Sequence, residues 1–395
     1  MNRKQFIQKS AMAAATMGLG SRANTSAFQN QTVSPSVKDQ NHPLAITMWD
    51  FSWLERRWPG AGYEDWDLVL DELKIRGYDA VRIDAYPHLI SKHASTTWEL
   101  PPVWTTQDWG SPALNRIRVQ PGLNNFIEKC ATRGIKVALS SWFREDTSKA
   151  YLDIKTPENL GEIWVNTLKQ IEAAGLLDSI LYVDLCNEFP LAAWTPFLPE
   201  SLKRDQFLPL SNKEQLKWIN ESLAVVRASF PDLDYTFSNW ENCDIVERDL
   251  SMMDILDLHI WMAGGPFYEK VGYKYEKFES TGYDNLVKRG ESTYREDPEY
   301  WQNLLKYRIQ CAAKESRAIG VPLTTTECWA VVDYKDWPLL DWGWVKELCE
   351  VGVKEAASTG CWTSMATSNF CGPQFKGMWR DVEWHQRLTG IIHNS

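Results

Sequence analysis

Short apolar runs recur along this chain, each followed by enough residues for a helix before the next. Strand-like runs occupy Leu44–Trp49, Ala80–Asp84, Ile135–Leu139, the stretch opening at Leu181, Leu233–Phe237, Ile255–Trp261, Val321–Glu327 and Cys361–Met365. Their β-branched and aromatic content and their length are those of buried strands. Helical periodicity marks Tyr63–Arg76, where Trp66, Val69, Leu70 and Leu73 share one face. It recurs over Gly122–Arg133, Pro157–Ala174, Lys213–Phe230, Pro298–Ile319, Trp344–Ser358 and Val382–Ile392. Gly77, Gly134, Gly175, Gly320 and Gly360 stand just beyond five of these helices, where a left-handed cap ends the helix before the next strand. Parallel neighbours need such crossovers, so the alternation predicts a parallel sheet. Eight strands closing on themselves make a (β/α)8 TIM barrel, a single domain over residues 43–395 and within that fold's usual size. An open doubly wound sheet would carry a glycine-rich phosphate turn after its first strand, and Trp49-Asp-Phe-Ser-Trp53 is nothing like one.

The segment before the barrel reads differently. Asn2–Lys9 is basic, Ala11–Gly20 is small and apolar, and Thr25-Ser-Ala27 offers a small-x-small cleavage site. Residues 1–27 are therefore expected to be an export signal, giving a periplasmic or secreted protein. Lys4 and Gln8 depart from the twin-arginine pattern, so the choice between that route and general secretion stays open. Residues 28–42 are polar and turn-rich, a linker to the domain. A net charge of −10 argues against nucleic acid and against anionic membrane surfaces, and no apolar run is long enough to span a bilayer. The eight Cys lack CxxC or metal-type spacing. Cys186, Cys311, Cys328 and Cys349 fall inside expected strands or helices, as buried free thiols would, so few or no disulfides are expected. Trp, at 21, outnumbers Phe and Tyr at 14 each. Because each indole N–H needs a partner, many of these rings are expected to be partly exposed, where they suit the flat faces of sugars.

In barrels of this kind sites are assembled at the carboxyl ends of the strands. Those ends carry Asp50, Arg82 with Asp84, Trp142, Asn187-Glu188, Trp240-Glu241, His259 with Trp261, Glu327 and Trp362. Glu188 and Glu327 follow the fourth and seventh strands, across the barrel mouth from each other. Two carboxyls about 5 Å apart have the chemistry of retaining glycoside hydrolysis, in which one protonates the leaving oxygen and the other attacks the anomeric carbon.

On these residues the chain resembles the clan A glycoside hydrolases, and their cellulase-like branch above all, over nearly the whole domain. In that clan an Asn-Glu pair after strand four supplies the acid/base and a Glu ending strand seven the nucleophile. The resemblance implies those roles for Asn187-Glu188 and for Glu327. It further implies that Arg82 keeps Glu327 ionised, that Asn187 holds the sugar 2-hydroxyl, that His259 and Trp261 line the site, and that Trp362 is the stacking floor. Asp50, Trp142 and Trp240 are expected to touch substrate. Ser140-Ser-Trp142 stands where many relatives end strand three in Asp and His, and Phe189 separates Asn187-Glu188 from Pro190.

The expected partner is therefore a carbohydrate, with no cofactor and no metal; protein partners are unread. Long segments at 87–115, 190–212 and 262–297 would wall the cleft, leaving exo and endo action both open. Two rival readings remain. A carbohydrate-binding barrel without turnover would have no need of both Glu188 and Glu327. A metal-dependent barrel isomerase or hydrolase would use Glu188, His259, Glu327 and an Asp, but it would need more His at strand ends, and of the chain's six His only His259 is expected in a strand.

Overall fold

The computed structural model describes residues 36–37, 40–105, 107–204, 210, 212–243, 248–273, 280–336 and 340–395. The expected export signal and most of the expected linker lie outside the described residues. Strands β1 (Leu44–Asp50), β2 (Ala80–Asp84), β5 (Lys136–Ser140) and β6 (Ile180–Asp184) pair in parallel in that order. A short antiparallel hairpin, β3 (Trp98–Leu100) with β4 (Asn115–Ile117), stands apart from them.

The ring closes through a fifth position that is split in two. β7 (Tyr235–Thr236) pairs with β6, while β8 (Asn239–Trp240) pairs with β9 (Leu256–Trp261). β9 pairs in turn with β10 (Leu323–Thr325) and β11 (Cys328–Trp329), the two halves of the seventh position. β12 (Trp362–Ala366) joins β10 to β1. The result is the expected (β/α)8 barrel, with Phe237–Ser238 and Thr326–Glu327 at the two interruptions.

The expected helices are present within a few residues of their predicted bounds. The helix Pro298–Ile319 is capped by Asp297, whose side chain accepts from the Tyr300 N–H at 3.0 Å, and Gly320 at φ 72 ends it. Segments expected to be loops hold more order than their composition suggested. Residues 87–115 contain the helix Pro87–His93 and most of the hairpin, and residues 262–297 contain the helices Gly265–Val271 and Ser280–Glu296. None of the helices among the described residues is long and apolar enough to cross a membrane.

The amino end of the barrel is filled by Val37, Leu44, Ile46, Ala80, Ala138, Leu181, Tyr182 and Ile255. Val37 comes from the segment expected as linker, and Asp234 anchors it by accepting from its backbone N–H at 2.7 Å. The outer layer, between strands and helices, absorbs the tryptophans. Of the 20 described Trp, 18 are buried, which corrects the expectation that many would be exposed. Buried backbone carbonyls meet the indole requirement instead: Trp49 donates to Cys371, Trp53 to Asp84, Trp164 to Leu185 and Trp329 to Ala366, at 2.9 to 3.1 Å.

A second correction concerns Cys311. Its place in the helix Pro298–Ile319 suggested a buried free thiol, but it faces the segment after β8 and forms a disulfide with Cys243, 68 residues away. The other six cysteines are free. Closing a loop of this length restricts the unfolded chain, so reduction or Cys311→Ser should cost about 2–4 kcal/mol. The check is thermal or urea unfolding with and without dithiothreitol, with the variant insensitive to reductant.

Candidate active site

The site is built on a guanidinium. Arg82 lies inward on β2 and is fully buried. Its Nη2 donates to Asp184 Oδ2 at 2.5 Å, Asn187 Oδ1 at 2.7 Å, Ser140 Oγ at 3.0 Å and Ser238 Oγ at 3.2 Å. Its Nη1 donates to Thr326 Oγ1 at 3.2 Å and Glu327 Oε1 at 3.4 Å, and its Nε lies 3.6 Å from Asp257 Oδ2. Trp142 packs its ring against the guanidinium at 4.7 Å. Burial alone would depress the Arg82 pKa, but the charges of Asp184 and Asp257 outweigh it and hold the group firmly protonated.

Glu188 follows β6 in the left-handed region, at φ 48. A non-glycine residue there carries a backbone cost of about 1–3 kcal/mol that its surroundings must offset. Ser238 supplies the contacts: its hydroxyl accepts from the Glu188 N–H at 2.9 Å and its carbonyl from the Phe189 N–H at 3.0 Å. The Glu188 carboxylate pairs with His259 Nδ1 at 3.0 Å through Oε1 and accepts from Trp194 Nε1 at 2.9 Å through Oε2. His259 Nδ1 is also 3.7 Å from Glu327 Oε2. One oxygen of Glu188, one ring nitrogen of His259 and one oxygen of Glu327 all lie within 4.8 Å of one another. That spacing would also suit a divalent cation, though the Asp that the metal-dependent reading called for is not among the three. Two surface clefts, of about 460 Å³ beside Trp66 and about 540 Å³ beside Trp342, include neither carboxylate.

Electrostatics divide these groups. Burial and the Glu188 charge push the Glu327 carboxyl up to about 7, with His259 and Arg82 pulling against them. The expectation that Arg82 simply keeps Glu327 ionised therefore needs correction, because that cation is shared with Asp184 and Asp257. Burial lowers the His259 pKa, but Glu327, the bond to Glu188 and Asp257 together carry it up to about 9. An imidazolium thus stands between two carboxyls at neutral pH.

Of the expected site residues, Arg82, Asn187, Glu188, His259 and Glu327 converge. Trp142 joins through Arg82, Trp261 sets its ring edge-on to His259 at 5.7 Å, and Trp240 stands opposite His259 in the β8–β9 ladder. Asp50, which burial drives well above the usual carboxylate range, turns its carboxylate back to the Ser52 N–H at 2.5 Å. Trp362 does not belong to the mouth. It opens β12 at the amino end, pairs with Leu323, and donates from its indole to Thr325 Oγ1 at 2.8 Å. The strand runs on to Ala366, four residues past the point where a stacking floor was expected. Sequence reasoning missed Trp194, Ser238, Asp184 and Asp257. The last two had a signal, an ionisable residue set inside an otherwise apolar strand.

The family model described as sugar-binding cellulase-like matches residues 46–393. The chain belongs to this cellulase-like family. A crystal structure from Parabacteroides distasonis, assigned as a glycoside hydrolase, is 54% identical, covers 90% of this chain and 94% of its own, and superposes with a TM-score of 0.87. The endo-β-1,4-mannanase of Thermotoga petrophila shares the fold at 11% identity, covering 91% of this chain and 78% of its own with a TM-score of 0.50. No curated protein matches the sequence.

The raised Glu327 pKa carries a stability consequence. A folded pKa above the unfolded one stabilises at low pH, and that contribution is lost as pH rises from about 4.5 to about 7. Glu327→Gln keeps the neutral shape at every pH. The variant should therefore melt closer to wild type at pH 4.5 and gain on it, by an amount on the order of 1–3 kcal/mol, by pH 7.5. Melting curves across that range decide it, and a difference independent of pH contradicts the shift.

Proposed function

We propose that this glycoside hydrolase cleaves β-linked glycans or oligosaccharides with retention, Glu327 acting as nucleophile and Glu188 as acid/base. The observation that carries the reading is the approach of their oxygens to within 4.8 Å at the barrel mouth. Retaining enzymes hold their carboxyls roughly 5–5.5 Å apart, whereas inverting ones leave about 6.5–9.5 Å for a water. In the first step Glu188 gives its proton to the glycosidic oxygen while a Glu327 oxygen bonds the anomeric carbon. In the second, Glu188 takes a proton from water as that water displaces Glu327. Arg82 and His259 offset charge on Glu327 when it is expelled. Asn187 has its Oδ1 fixed by Arg82, and its buried Nδ2 has no hydrogen-bond partner among the described residues, which leaves that donor for the sugar 2-hydroxyl.

The reading extends to location. A basic, apolar and small-residue leader together with a disulfide supports export to the periplasm or beyond, since disulfides persist in oxidising compartments.

The test is a panel of aryl β-glycosides and oligosaccharides. Wild type should turn over at least one of them. Glu327→Gln should lose about 10³-fold or more, and Glu188→Gln should lose more on poor leaving groups than on activated ones. Mass spectrometry after a 2-fluoroglycoside trap should place the label on Glu327, and a label elsewhere removes it as nucleophile. Chelators should leave the rate unchanged. Loss with EDTA and recovery with a divalent ion would favour the metal reading of the same three side chains.

Because the nucleophile must be ionised, kcat/KM should fall about tenfold per pH unit below roughly 7. A pH–rate profile measured under first-order conditions checks this.

A further inference from the structure

Among the groups that the proposed roles leave unused, Trp194 is the one in direct contact with a reacting side chain. We infer that Trp194 is a positioning residue that fixes which oxygen of Glu188 carries the transferable proton and holds the carboxylate left behind. This rests on the roles proposed for Glu188 and Glu327.

The geometry begins in the chain itself. Trp194 lies six residues after Glu188 and is folded back by a tight turn. The Leu191 N–H donates to the Glu188 carbonyl at 2.8 Å, the Trp194 N–H to the Leu191 carbonyl at 2.9 Å, and the Thr195 hydroxyl to the same Leu191 carbonyl at 2.8 Å. The indole is 7% exposed, and the Trp104 ring packs edge-on against it with centroids 4.8 Å apart. Held so, the indole N–H meets Glu188 Oε2 at 2.9 Å.

An indole N–H only donates and does not titrate in the working range of an enzyme, so Trp194 cannot itself shuttle a proton. An N–H donor also binds an ionised carboxylate more strongly than a neutral acid. The Trp194 N–H stays on Oε2 in every state, whereas the His259 N–H that meets Oε1 also lies 3.7 Å from Glu327 Oε2 and can turn to it, which leaves Oε1 as the oxygen able to carry the proton. Oε1 is thus the one on the reacting side. In the bond-breaking step the Oε1–H bond breaks and the proton goes to the glycosidic oxygen. That oxygen keeps the electron pair of its bond to the anomeric carbon, Glu327 bonds the carbon, and the Trp194 N–H stabilises the Glu188 anion that remains.

The contribution of Trp194 should therefore scale with how badly the leaving group needs a proton. Trp194→Phe keeps a flat ring and removes the N–H. On alkyl glycosides or disaccharides of an accepted sugar its kcat/KM should fall about 10–100-fold, the range for a hydrogen bond to a charged group. On the 2,4-dinitrophenyl glycoside of the same sugar it should change less than about threefold. Trp194→His, which retains a ring N–H, should recover part of the loss on poor leaving groups. It also carries the comparison if the Phe variant fails to fold. Equal losses on both substrate classes, or no loss on either, would overturn the assignment of Trp194 alone. A wild type without glycosidase turnover, or Glu188→Gln with full rate on alkyl glycosides, overturns the function on which it rests.

Discussion

The guanidinium of Arg82 is the interaction on which the mouth of this barrel depends. From β2 it reaches side chains on or just after β5, β6, β7, β9 and β10, so one planar fork ties together most of the ring at a single level. Its removal would strand Asp184 and Asp257 without a cation, at about 3–5 kcal/mol for a broken buried pair. Its stoichiometry matters as much as its position. The one guanidinium is shared among Asp184, Asp257 and Glu327, and the contact with Glu327, at 3.4 Å, is longer than the one with Asp184, at 2.5 Å. Burial and the Glu188 charge therefore raise the Glu327 pKa against the pull of His259 and Arg82, and Glu327 is in turn the foremost charge that raises His259.

Much of this was legible in the sequence, and the reasons are local. The strands from Ala80 and Leu181, and the helices ended by Gly320 and Gly360, are set by apolar period and by caps that only nearby residues decide. Asn187-Glu188 and Glu327 were readable because each interrupts a buried run where burial of a carboxyl needs a reason. Trp362 was misplaced although the strand Cys361–Met365 was read to within one residue of β12, because the stacking-floor role came from the resemblance and was put on a ring at the amino end of that run. Trp194 was missed for a different reason. Its distance from Glu188 in sequence says nothing until the turn closed by the Leu191 N–H on the Glu188 carbonyl folds it back. The Cys243–Cys311 pairing likewise joins a loop to a helix across 68 residues.

The tryptophans show how a composition can mislead while its physics holds. The indole N–H meets a side chain at Trp194 and Trp362 but a main-chain carbonyl at Trp49, Trp53, Trp164 and Trp329. A barrel offers many such carbonyls, because the loops leaving its strands interrupt the ladder. The large ring count therefore records the thickness of the layer between strands and helices more than the area of a binding face, and Trp194 is set apart by its direct bond to Glu188.

The split fifth strand has a bearing on when the protein becomes competent. Ser238 sits in the gap between β7 and β8, where its hydroxyl and carbonyl are released from pairing and hold the unfavourable backbone of Glu188 and Phe189. Glu188 thus precedes by fifty residues the serine that holds its backbone. A nascent chain ending short of Ser238 has Glu188 without that backbone support, and one ending short of Glu327 lacks the opposing carboxyl as well. The geometry at the barrel mouth is therefore a property of the closed ring, since the side chains that meet there come from strands far apart in the chain.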